Sequence, residues 1–131
     1  MAAQPSSMNP IDKIRAIART DGRYAPEAYA FIFEALDFTL KRIEMHRHVT
    51  GQELCEGIRD LAIERFGLLA RTVFKHWGVT RTRDFGHIVF NLVESGLMGK
   101  TEDDRIEDFD HVYDFDEVFD RGLKFSVSLE R

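Results

Sequence analysis

The feature that most constrains this chain is the run from Trp77 to Met98, a turn, an apolar stripe at helical spacing and a glycine stop. At about 100° per residue, Phe85, Ile88, Val89, Leu92 and Val93 fall on one face of a helix. His87, Asn91 and Glu94 fall opposite. Asp84, or Thr80 or Thr82, can accept from a free backbone N–H and cap the start. Gly96 supplies the left-handed residue that ends it. Phe90 lies off the stripe and needs a second contact, from the segment that follows. So sharp a stripe must be covered, and the segments before it read as the helices that cover it.

Residues 1–8 are expected to be a flexible tail, and 9–131 a single globular domain. Asn9-Pro10 opens a first helix, with Asn as cap and Pro where its missing N–H costs nothing. Ile11, Ile14, Ile17 and Ala18 give it a short stripe, and Asp21-Gly22-Arg23-Tyr24 turns the chain. Pro26 starts the longest helix, to about residue 45, with Tyr29, Ile32, Phe33, Leu36, Leu40 and Ile43 along one face. A second line, Phe31, Phe38 and Met45, runs on nearly the opposite side. A helix apolar on two sides is sandwiched in the domain or presents one side to a partner. Thr50 and Glu53 have the spacing of a capping box. Leu54, Ile58, Leu61 and Ala62 are the inner face of the helix that follows, and Phe66-Gly67 ends or bends it. Leu69, Val73 and Trp77 continue that face on a short helix stopped at Gly78.

After Gly96, Leu97 to Lys100 reads as a short strand, 101–104 as a turn and Ile106 to Tyr113 as a return strand. Two helices, a glycine stop and a hairpin make the outline of a winged-helix unit. Residues 114–120 suggest one or two helical turns closed by Gly122. Leu123, Phe125, Val127 and Leu129 then alternate with polar residues as in a half-buried strand. The fold class is therefore mainly α: one domain of five or six helices with a small C-terminal antiparallel β element, winged-helix-like in outline.

At 131 residues, with 44% hydrophobic residues and eleven phenylalanines, the chain can bury a core without staples. Cys55 is the only cysteine, which excludes an internal disulfide and suits a reducing compartment. The first nine residues have no basic n-region or apolar h-region, and no apolar run approaches a membrane span, so the expected place is the cytoplasm. The net charge of −5 hides an asymmetry. Residues 1–100 carry 14 Lys and Arg against 12 Asp and Glu, whereas residues 101–131 carry 4 against 11. The acidic last third would repel a phosphate backbone and suits a basic partner or solubility.

No catalytic motif emerges. His46 and His48, with Glu53 and Cys55 nearby, are metal-ligand types, but their spacing matches no standard pattern. The carboxylates from Asp103 to Glu117 lack the glycine and glutamate positions of a calcium loop. Asp84-Phe85-Gly86 repeats a kinase tripeptide without any of its companion motifs. A winged helix would read DNA with the outer face of its second helix, and Arg71, Lys75, Arg81 and Arg83 form a modest basic patch beside it. No cofactor is implied. The expectation is a non-enzymatic protein-interaction or regulatory module, with a protein partner or a homo-oligomer and Phe31, Phe38 and Met45 as its interface. The alternatives are a winged-helix nucleic-acid binder using the four basic residues and a small metal protein or enzyme using His46 and His48.

One set of short motifs, taken in order, resembles a small conserved-hypothetical family of bacterial proteins of about this size. It comprises Asp21-Gly22-Arg23-Tyr24, Ala28-Tyr29, His48-Val49-Thr50-Gly51-Gln52-Glu53-Leu54, Trp77-Gly78, Asp84-Phe85-Gly86, Val89-Phe90, Asp108-Phe109 and Tyr113-Asp114-Phe115. The resemblance spans roughly residues 11 to 120. It implies a bacterial, cytoplasmic, single-domain protein and carries no established activity, ligand or catalytic residue.

Overall fold

The computed structural model describes residues 1–3, 9–43 and 48–121. Five helices dominate it: α1 (Pro10–Asp21), α2 (Pro26–Ile43), α3 (Gly51–Phe66), α4 (Ala70–His76) and α5 (Thr82–Glu94). Their ends follow local chemistry. Asn9 caps α1 by accepting from the Ile11 N–H at 3.0 Å. Thr50 and Glu53 exchange bonds of 3.0 and 3.1 Å in a capping box at α3. Gly96 takes φ 84°, the left-handed conformation that releases the chain after α5.

The stripe of α5 goes where its spacing predicts. Phe85, Ile88, Val89 and Leu92 are fully buried, and Val93 is half-buried. α2 packs most closely on α3, and α5 packs against α2 and against a 3-10 turn at Ile106–Phe109. Two glycines permit these approaches. A side chain at Gly57 of α3 would overlap the Thr39 hydroxyl of α2. A Cβ at Gly86 of α5 would lie 2.9 Å from the Phe109 ring and 2.8 Å from Ile106 Cδ1. The interior between α4, α5 and the last described turn is aromatic. Phe74 has its ring centroid 5.5 Å from Phe85, 5.8 Å from Phe115 and 5.4 Å from Phe119. Phe90, off the stripe, finds its second contact in Lys100, whose ammonium lies 5.9 Å from the ring centroid.

The small antiparallel sheet is present, but its pairing differs from the expected hairpin. β1 (Ala2–Ala3) pairs with β2 (Met98–Gly99), Ala2 opposite Gly99 and Ala3 opposite Met98. Met1 is buried, and its nitrogen donates to the Val49 carbonyl at 2.9 Å. Residues 1–3 are thus part of the packed fold and not a flexible tail, while 4–8 lie outside the described residues. The return strand over 106–113 is not formed. That stretch holds the 3-10 turn Ile106–Phe109, because Asp108 Oδ2 accepts from the Arg105 N–H at 3.1 Å and buried Phe109 docks under Gly86. Among the described residues no wing follows α5. The alternation from Leu123 to Leu129 lies outside them. Residues 116–121 form a π-helical turn, in place of the ordinary helical turns expected there.

Candidate functional site

At the start of α5, the inward and outward sides divide polar chemistry between them. Inward, Asp84 is 7% exposed and closes the helix start. Its carboxylate accepts from Tyr24 Oη at 2.6 Å, the Thr80 N–H at 2.9 Å and the Arg81 N–H at 3.3 Å. Burial, and then this bond to Asp84, push the Tyr24 phenol well above the ordinary range. A second network ties α1 and α2 to α5, where Asn91 Nδ2 donates to Asp21 Oδ2 and to Tyr29 Oη, both at 2.9 Å. The Arg23 guanidinium beside Asp21 holds that carboxyl far below its usual range. Each of these polar residues finds at least one partner among the others, as buried and half-buried polar groups should.

Outward, the loop before α5 and the acidic segment 110–117 enclose a cleft of about 510 Å3. Arg71, Arg81 and Arg83 line it together with Asp110, Asp114, Asp116 and Glu117. Arg83 Nη1 donates to both carboxylate oxygens of Asp110 at 2.7 Å. Arg71 forms an ion pair with Asp116. Thr82 fastens the turn between the two sides, its hydroxyl donating to the Phe109 carbonyl at 2.6 Å and accepting from the Val112 N–H at 3.2 Å. His111, on the cleft wall, is held at φ 51°, the left-handed region that a non-glycine residue enters only under constraint. Among the described residues, no carboxylate pairs with the Arg81 side chain and no cation pairs with Glu117.

The sequence-predicted sites fare unequally. Three members of the basic patch, Arg71, Arg81 and Arg83, do meet, in this cleft; Lys75 is exposed but does not line it. Two of the three are matched by acids from the last third of the chain, so phosphates would have to displace built-in carboxylates. Of the expected interface line, Phe31 is taken up by the core. Phe31 is 4% exposed and stacks among Phe66, Phe74 and Trp77 at 5.4 to 5.8 Å. It belongs to the core because α3 and α4 close over that side of α2. Phe38 is half-buried with Arg42 over its ring at 5.3 Å, and Met45 lies outside the described residues.

Of the metal candidates, His46 lies outside the described residues and His48 is exposed. Glu53 is committed to its cap, and Cys55 is fully buried, its thiol pushed up by that burial. Among the described residues no group of three metal-ligand side chains converges. Half-buried His87 is held below its ordinary value by burial and the nearby Arg23.

Two surface features escaped sequence reading. Leu69, expected on the buried face with Val73 and Trp77, is 63% exposed, and its neighbour Leu68 is 60% exposed. Both sit on the 3-10 turn Gly67–Leu69, which breaks the periodicity between α3 and α4. The Gly67 stop was the available signal, because a change of helix axis there invalidates a wheel drawn through it. The cleft had no signal beyond scattered acids. Comparison of the chain with protein-family models, with curated proteins and with solved structures found no match. No helix among the described residues is long and apolar enough to cross a membrane.

Proposed function

We propose that this protein is a non-enzymatic interaction module that docks a protein partner through the turn between α3 and α4. The observation that carries the reading is the adjacent exposure of Leu68 and Leu69 on a turn held between two helices. Burying one leucine side chain is worth about 1.5–3 kcal/mol. Two of them fixed side by side in water leave apolar surface that a partner can still bury, whereas single exposed leucines need no explanation. Flexible loops lose such gains to ordering, and a turn anchored at both ends loses less. The interface thus moves from the Phe31 line, which the core uses, to Leu68 and Leu69. A cytoplasmic setting suits the lone buried cysteine.

The test is the double variant L68E/L69E. Both side chains stand in solvent, so its melting curve by circular dichroism should match that of the parent protein. In cross-linked pull-downs and in light scattering, the parent protein should show a partner or a defined oligomer that the variant loses. Identical bound proteins and identical mass for the two would end this reading.

A further inference from the structure

The cleft at the start of α5 carries a separate inference. Its volume of about 510 Å3 falls within the range of small-molecule sites. Its walls are set by bonds already made: Arg83 to Asp110, Arg71 to Asp116, and Thr82 to both sides of the 109–112 turn. Those pairs cancel two of its three positive charges and two of its four negative ones. Among the described residues, what remains is one guanidinium, Arg81, and two carboxylates, Asp114 and Glu117. Asp114 spends one oxygen on the Asp116 N–H at 2.7 Å and keeps the other. Tyr113 and Phe115 supply apolar wall to the same cleft.

We propose that this cleft binds a small zwitterion of the amino-acid or short-peptide class, its carboxylate on Arg81 and its ammonium on Asp114 and Glu117. A simple anion would face the two uncompensated carboxylates, and a simple cation would face Arg81. Only a ligand carrying both signs satisfies the whole cleft, and planar guanidinium matches a carboxylate with two parallel bonds. The site is distinct from Leu68 and Leu69 and stands or falls without them.

The experiment is a heteronuclear NMR titration of the full chain with L-alanine, trialanine, N-acetyl-trialanine and trialanine amide. The two zwitterions should shift resonances of Thr80, His111 and Tyr113, and whichever binds tighter tells amino acid from peptide. Blocking either end removes one charge-assisted contact, so each blocked form should bind at least about ten-fold more weakly. In R81A, trialanine and its amide should become equivalent. In E117Q, the gap between trialanine and its N-acetyl form should narrow, with Asp114 keeping part of it. Both side chains are exposed and form no side-chain hydrogen bond or ion pair among the described residues. No shift at those residues with either zwitterion at millimolar concentration would overturn the proposal, as would equal binding of the blocked forms.

Discussion

Asp84 and Glu117 lie on the inner and outer sides of one short region, and the fold treats them in opposite ways. Asp84 is buried and receives a phenol and two backbone N–H groups at 2.6 to 3.3 Å. Glu117 stands exposed on the cleft wall, with no hydrogen bond or ion pair among the described residues. Removing a carboxylate from water is tolerated only when donors replace the water. On the outer side water does that work, so the carboxylate stays available to something that arrives from solution. The inner side of the α5 start is therefore architecture, and the outer side is where a ligand can act.

The sharpest way to break this contrast is to damage the inner side. Phe85→Ala removes a fully buried ring stacked 5.6 Å from Phe115 and should cost about 3–5 kcal/mol in urea unfolding. Asp84→Ala should cost about 2–3 kcal/mol by the same measurement, because the helix loses its cap and the Tyr24 hydroxyl loses its acceptor. A loss well under 1 kcal/mol for Asp84→Ala would erase the distinction between the two sides.

Alkaline pH probes the inner side without mutation. Burial raises the Tyr24, Tyr29 and Tyr113 phenols above the ordinary value of about 10. The folded state thus holds those protons more tightly than the unfolded chain does. Their contribution is fully present below about pH 10 and is lost as pH rises through the folded values. The urea midpoint should stay level to about pH 10 and then fall, and Tyr24→Phe should make the fall shallower. The smallest effect belongs to the outer side, where Glu117→Gln should change stability by no more than about 0.5 kcal/mol.

Much of this was legible because it is local. The α5 stripe, the Asn9 and Thr50 caps and the Gly96 stop depend on residues within a turn or two of each other, and periodicity exposes them directly. The expected hairpin failed for the opposite reason. Whether Met98 pairs with 106–113 or with Ala3 depends on what else those segments can bury. Phe109 docks under Gly86, which no short window of sequence reveals. The face of α2 bearing Phe31 was ambiguous in the same sense, since a helix apolar on two sides does not say which neighbour covers each. Leu69 misled because Gly67 turns the helix axis and shifts the wheel.

The amino-acid sequence by itself determined a mainly helical domain of five or six helices with most of their ends, a core rich in phenylalanine, and an acidic final third. Spacing, capping and composition act over short distances or as simple sums, so they need no knowledge of the fold. The tertiary structure alone decided that the N-terminal residues supply the partner for β2, that the acidic segment folds against Arg71 and Arg83, and that Arg81, Asp114 and Glu117 share one cleft. Those are meetings of residues far apart in the chain, and only packing of the apolar faces around α5 sets which distant charges come to stand together.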